Sequence, residues 1–515
     1  MGSAVAVELV FIPAPGVGHI MSTMEMAKLL INRHQSIATT VLLIHPPYSS
    51  SVLTNYIQSL LTNPIQRIRF IQLPQDQETA SKLDLKAPFT SFYEFINSHR
   101  NYVRNVVSDM LSRPGSVRIT GLVVDILCTG MIDVANEFSI PSYAFFTSNA
   151  AFLGFKLYMD TLCRNQKQEG IIALSKSDGE LRIPSFVKPV PMTVYPAVYQ
   201  TRDGLDFLTV SIQKFREAKA IMVNTFLELE THAIESFSSY TNFPSVYAVG
   251  PVLNLNGVAG KDEDKDVIRW LDGQPPSSVV FLCFGSMGSF EEVQLKEIAY
   301  ALERSGHRFV WSVRRPPSPE QSFKVLPDDY DDPRSILPDG FLERTNGFGK
   351  VIGWAPQVSI LAHEAVGGFV SHCGWNSVLE SICCKVPILA WPMMAEQHLN
   401  ARMVVEEIKI GLRVETCDGS VRGFVQADGL KKMVKELMEG ENGEIVRKRV
   451  EGIGEGAKKA MAEGGSSWRT LNELIDELQC VRNSNGGRFP SSEGDSDKSK
   501  GESYVPMDNL SLVSI

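Results

Sequence analysis

The densest run of chemically capable side chains lies between Trp354 and Gln397 (WAPQVSILAHEAVGGFVSHCGWNSVLESICCKVPILAWPMMAEQ). Within it, Gly367 to Ser371 reads as a short buried strand. His372, Cys373, Gly374, Trp375, Asn376 and Ser377 then read as the turn into a helix carrying Val378, Leu379 and Ile382. A helix that begins just past a strand end presents unpaired backbone N–H groups and partial positive charge, which suits a phosphate. That end alone favours an anion by about 0.3–2 kcal/mol, so His372 and the Ser377 hydroxyl are natural further donors, and Asn376 or Ser377 is a suitable helix cap. Taken alone, the hexapeptide is equally a structural turn. Its neighbours add to it: Trp354 can stack on a base, Glu380 sits one turn into the helix where it can accept from ribose hydroxyls, and Glu396 with Gln397 offers acceptors and donors suited to sugar hydroxyls.

A second candidate is a general base. Pro13 to His19 (PAPGVGH) follows the apolar run Val7 to Ile12, and a helical pattern of Ile20, Met24, Ala27, Leu30 and Ile31 comes after it. The loop is not a dinucleotide fingerprint, because Met21 replaces the third glycine and His45-Pro46 replaces the acid after the second strand. A lone histidine is more often structural, but His19 falls near a helix start. There the dipole disfavours protonation and is expected to keep the imidazole available as a base. Phenols ionise near pKa ~10 and alcohols far higher, so a positioned base speeds attack by a hydroxyl ~10²- to 10⁴-fold. Asp125 closes the run Gly121 to Val124, at the strand edge where doubly wound folds place their sites. Asp133, eight residues on, is expected on a helix instead.

The elements that must position these residues follow from apolar patterning. Thr40 to Ile44, Gly121 to Val124, Tyr143 to Phe146, Ile221 to Val223, Phe309 to Val313 and Val386 to Ala390 are continuous apolar runs, each fit for a parallel strand buried on both faces, and helical stretches separate them. The strand, glycine loop and helix that open the chain recur at Ser278 to Phe284, Gly285 to Gly288 and Glu291 to Arg304. The expectation is an α/β protein with two doubly wound domains facing across a cleft. Its parts are a first domain at 1–250, a linker at 251–274, a second domain at 275–460, a C-terminal helix at 461–480 packing back on the first domain, and a disordered tail at 481–515.

Bulk properties exclude other classes. With 515 residues, 43% hydrophobic and 21% charged, the chain can fill two large cores, and its net charge of -9 argues against a nucleic-acid partner. The eight cysteines form no CxxC pair and read as reduced thiols, and those near His372 lack zinc-ligand spacing. Glu8, Pro13 and Pro15 interrupt any signal core, Ala6 stands where a myristoylation signal needs Ser or Thr, and no apolar run approaches the ~20 residues of a membrane span. A soluble, cytoplasmic monomer is expected.

The segment from Trp354 to Gln397 resembles the signature box of the plant secondary-product glycosyltransferases, the family 1 enzymes of GT-B fold that use uridine-diphosphate sugars. It opens on WAPQ, continues as HxGWNSxxE and ends in Glu-Gln after a proline. Lys385 replaces the usual glycine before Val386-Pro387, at some cost in stability if that turn needs φ > 0. By this resemblance Trp354 stacks on uracil, Ala355 and Gln357 meet uracil or ribose, and Glu380 binds ribose. His372, Asn376 and Ser377 hold the diphosphate within a donor-binding turn that includes Gly374 and Trp375, with Ser286 adding a contact. Glu396 and Gln397 then hold the sugar, and Trp375 together with the final Gln397 favours glucose.

The resemblance also implies that His19 is the base and Asp125 its orienting partner. The implied reaction is in-line, inverting displacement at the anomeric carbon, with UDP-glucose as co-substrate and without cofactor or metal. The acceptor is expected to be small, apolar and hydroxylated. It would be held by loops at Ala87 to Phe95, Phe145 to Asn149 and Met192 to Tyr199, with Gly18, Phe89, Phe146 and Met394 as candidate contacts. The stretches PAPGVGHIMSTMEMAKLL and SSVVFLCFGSMGSF resemble a subgroup acting on flavonoids and other phenolics, so such hydroxyls come first and lignans or terpenoids second. Two rivals stay open at this point, a sugar-nucleotide epimerase of similar fold and a non-catalytic UDP-sugar sensor; the presence of both His19 and Asp125 speaks against the sensor.

Overall fold

The computed structural model describes residues 7–48, 50–84, 86–113, 118–177, 179–255, 262–318 and 325–484. Seven parallel strands form the first sheet: β1 (Val7–Ile12), β2 (Ile37–Leu43), β3 (Ile68–Gln72), β4 (Arg118–Asp125), β5 (Ser142–Phe146), β6 (Ala220–Val223) and β7 (Ser245–Ala248), in the order β3-β2-β1-β4-β5-β6-β7. A second parallel sheet holds β8 (Val279–Cys283), β9 (Arg308–Ser312), β10 (Gly349–Ile352), β11 (Val366–Ser371), β12 (Ile388–Ala390) and β13 (Gly411–Arg413), in the order β10-β9-β8-β11-β12-β13.

Both orders reverse once. The chain leaves β1 toward β2 on one side, while β4 closes on the other side of β1; β8 has β9 and β11 in the same relation. Helices wound to opposite faces diverge at such a point and leave a crevice beyond the strand ends. The residues after β1 and β4 therefore meet, as do those after β8 and β11.

Strand burial follows the period of two. Val10 and Ile12 of β1 enter one apolar layer, Leu9 and Phe11 the other. Helix α1 (Val17–Arg33) covers that second layer with Ile20, Met24, Ala27 and Leu30. The last helix among the described residues, Ser466–Ser484, adds Leu471, Leu474, Ile475 and Leu478 to the same cluster, a helical spacing that packs this helix onto the first sheet. Each such side chain stabilises by about 1.5–3 kcal/mol when fully buried.

Several elements differ from the sequence expectation. Asp262–Asp272, inside the span read as linker, is a helix that buries Val267 and Leu271. Pro88–Ser98 is also a helix where a loop was expected, since Pro88 suits a first turn and Phe95 and Ile96 pack inward. Glu441–Met461 runs past residue 460, and the final helix continues to Ser484. The remainder of the expected tail, 485–515, lies outside the described residues. Asp133 is helical, as expected, and pairs with Arg100 and Lys214. Cys128, Cys163, Cys283, Cys373, Cys383, Cys384 and Cys417 are free thiols, and among the described residues no helix is long and apolar enough to cross a membrane.

Candidate functional site

A cavity of about 1060 Å³ lies between the two sheets. It receives His19 from the first turn of α1 and the donor-type residues from the second sheet. His19 Nδ1 lies 2.8 Å from Asp125 Oδ2, and Asp125 Oδ1 accepts from the Leu127 backbone N–H at 2.9 Å. A carboxylate only accepts, so the proton sits on Nδ1 and the lone pair is left on Nε2. The Asp125 side chain is fully buried, whereas that of His19 keeps 29% exposure. Burial pulls the His19 pKa down, but the charge and hydrogen bond of Asp125, aided by Glu396, outweigh it and the net shift is upward. This corrects the dipole argument, which leads to a lowered value: two facing carboxylates outweigh a helix end.

On the second sheet, His372 follows β11 and fits between two glycines. A Cβ on either Gly285 or Gly374 would come within 2.5 Å of His372 Nε2, so only glycine backbones admit the ring, and Gly285 also takes φ +75°. The adjacent Cys373 has φ +61°, unusual for a side-chain-bearing residue. Its carbonyl is held by Asn400 Nδ2 at 2.9 Å. Burial lowers the His372 pKa to about 4, against an opposing hydrogen bond to the Cys283 backbone, so the ring is neutral.

The helix that begins at Trp375 (Trp375–Cys384) has Gly374 at its N-cap and no side-chain cap. The cap roles considered for Asn376 and Ser377 are thus not taken, because both side chains have other partners. Asn376 Nδ2 donates to Ser22 Oγ at 3.0 Å and to Gly18 O at 3.4 Å, reaching α1. Ser377 Oγ accepts from Gln357 Nε2 at 2.7 Å, and the same nitrogen donates to Glu380 Oε2 at 2.6 Å. Burial raises the Glu380 pKa to about 7 although the Gln357 bond opposes it. His372 Nδ1 and Asn376 Oδ1 are buried without partners, a condition that suits a polar ligand. Trp375 points its indole N–H at Asn224 O, 2.7 Å away, and joins the two units there.

Ser286, Trp354, Ala355, Gln357, His372, Gly374, Trp375, Asn376, Ser377, Glu380 and Glu396 all line the cavity. Gln397 does not line it: its Oε1 accepts from the backbone N–H groups of Met393 and Met394, at 3.0 and 2.9 Å. Met394 also stays outside, at the surface, because Ala395 at φ +50° turns the chain so that Glu396 enters instead. Glu396 Oε1 accepts from Ser148 Oγ at 3.1 Å. Gly18 and Phe89 line the cavity as expected. Phe146 does not: strand alternation turns it into the core, where it packs on Phe152 and Phe215, and Phe152 reaches the cavity in its place.

Three lining cations escaped the sequence reading, Lys350 of β10 together with Arg314 and Lys156. Arg314 follows β9 at the sheet's C-terminal edge, a position that flags it, and its guanidinium lies 5.1 Å from the Trp354 ring centroid. Lys156 sits in the helix Ala150–Asn165 amid apolar residues, and nothing in its spacing marks it. Among the described residues no group of three or more His, Cys, Asp or Glu side chains is placed to hold a metal ion.

Comparison with known proteins adds to this geometry. Residues 228–442 match the family described as UDP-glucoronosyl and UDP-glucosyl transferase. A Fragaria ananassa protein named UDP-glucose flavonoid 3-O-glucosyltransferase 6 is 46% identical over 486 residues, 92% of this chain and 99% of the relative. UDP-glycosyltransferase 71A15 of Malus domestica is 45% identical over 482 residues, with the same coverage. Among solved structures, Medicago truncatula UGT71G1 complexed with UDP-glucose superposes with TM-score 0.80 at 39% identity, covering 92% of this chain and 98% of that one. A Siraitia grosvenorii transferase in complex with UDP gives TM-score 0.79 at 42% identity, over 92% and 100% of the two chains.

Proposed function

This chain belongs to the UDP-glucoronosyl and UDP-glucosyl transferase family, and from that premise we propose that it moves glucose from UDP-glucose onto a hydroxyl of a small, flat, apolar acceptor. Flavonoids and other phenolics are the first acceptor class, in line with the name of the strawberry relative. The observation that carries the reading is the single cavity in which the His19–Asp125 pair opposes the turn from His372 to Ser377.

In this mechanism the first unit binds the acceptor and the second binds the donor. Asp125 holds the Nδ1–H of His19, so Nε2 takes the proton of the acceptor hydroxyl as its oxygen attacks the anomeric carbon. The bond to the diphosphate breaks on the opposite side and the configuration inverts. Backbone N–H groups at the helix start, neutral His372, and the Ser286 and Ser377 hydroxyls stabilise the departing diphosphate without a metal. Glu380 and Gln357 hold the ribose, Trp354 the uracil, and Glu396 the sugar. The protein works as a soluble cytoplasmic monomer.

Mass-spectrometric turnover of UDP-glucose with a mixed panel of flavonoids, phenylpropanoids, lignans and terpenoid alcohols, in EDTA, tests the reading. Hexose-bearing products are expected from the wild type, with a loss of about 10²-fold or more in His19→Ala. A wild type that binds UDP-glucose but glucosylates nothing, or a fully active variant, overturns it.

A further inference from the structure

Lys156 is 2% exposed and lines the cavity, yet among the described residues its ammonium makes no hydrogen bond and no ion pair. Its neighbours are phenyl faces: Nζ lies 5.3 Å from the Phe215 ring centroid and 5.9 Å from those of Phe146 and Phe207. Such faces attract a cation but leave its three N–H donors unspent. The acids whose charge it feels are Asp125, at the end of β4, and Glu396, just before the helix Gln397–Arg402. Asp125 accepts instead from His19 and Leu127, and Glu396 Oε1 from Ser148. A leucine or methionine would fill this position without desolvating a charge.

We propose that Lys156 selects the acceptor by hydrogen-bonding a carboxylate that the acceptor carries, so that the preferred acceptors are aromatic hydroxycarboxylates whose hydroxyl is directed to His19. Phe89, Phe92, Phe152 and Phe207 supply apolar walls for the rest of such a molecule. Burial lowers the Lys156 pKa to about 8, against the upward push of Glu396 and Asp125, and this leaves the side chain mainly cationic at neutral pH. The inference rests on the transfer reading above, because it assumes that this part of the cavity receives the acceptor.

The test uses the full chain saturated with UDP and compares equilibrium binding of 4-hydroxycinnamate with that of its methyl ester. Wild type is measured beside Lys156→Met and Lys156→Gln, two near-isosteric changes, and UDP affinity in the same titrations verifies folding. The expected result is tighter binding of the acid by wild type, with an acid-to-ester preference that falls about tenfold or more in both variants. An unchanged preference in both variants, or a wild type that binds the ester as well as the acid, overturns the proposal. Glucoside formation is scored separately. A preference that falls as expected while neither compound is glucosylated keeps the lysine's role and sinks the transfer reading; the converse result sinks the lysine's role alone.

Discussion

The hydrogen bond between His19 and Asp125 sets both tautomer and basicity. Only the neutral imidazole can take a proton, so a pKa held above the ordinary value places the acid limb of the rate profile above about pH 6.5. Asp125→Asn removes the charge that pushes the pKa up and leaves burial, opposed only by Glu396. The acid limb of kcat/KM is therefore expected to move to lower pH while the rate falls about 10²-fold or more. A pH series on the variant checks both; a limb that stays in place would mean that some other group titrates. Lys156 belongs to the same scale, since its role depends on a single unpaired ammonium.

At the level of elements, the end of the helix Trp375–Cys384 is the clearest local conflict between residue type and backbone. Lys385 occupies the left-handed region at φ 61°, ψ 32°, where a side-chain-bearing residue costs roughly 1–2 kcal/mol. Its ion pair with Glu455 offsets little, because solvent screens both exposed partners. Glycine would relieve the strain but gains freedom in the unfolded chain, worth about 0.4–1 kcal/mol. Lys385→Gly is therefore expected to raise stability by no more than about 1.6 kcal/mol and to leave donor affinity unchanged. Denaturant titration beside UDP binding measures this, and a clear loss of stability would show that the pair with Glu455 outweighs the strain.

Across the whole molecule, a buried polar chain links the two units. Asn149 caps the helix Ala150–Asn165 through Phe152 N and donates to Asn400 Oδ1 at 2.5 Å, while Asn400 donates to the carbonyl of the strained Cys373. The helix Ala150–Asn165 of the first unit and the turn at Cys373 of the second are thereby held in one register. Asn400→Ala leaves the Asn149 amide and the Cys373 carbonyl without these partners, and each unsatisfied group costs about 1–3 kcal/mol. Lower stability in denaturant titration and a higher KM for UDP-glucose are the expected outcomes. In a cycle with Asn149→Ala the two losses should be less than additive; full additivity would argue that the chain is not one unit.

The sequence by itself determined the two strand-loop-helix starts, because a parallel strand buried on both faces leaves a continuous apolar run that no loop imitates. Local spacing also marked the candidate donor residues from Trp354 to Glu396, which the fold distributes over the loop after β10, the helix Gln357–Leu361, the turn after β11, the helix Trp375–Cys384 and the loop after β12. It did not decide which side chains face the cleft. Phe146 and Met394 looked like acceptor contacts, but strand alternation buries the first and the turn at Ala395 leaves the second outside. The meeting of His19 with Asp125, 106 residues apart, was set by sheet order, which makes β1 and β4 neighbours at the point where winding reverses. Lys156 was invisible for a related reason: its unpaired state depends on three rings brought from β5 and from the helix Arg202–Glu217, and only tertiary packing assembles them.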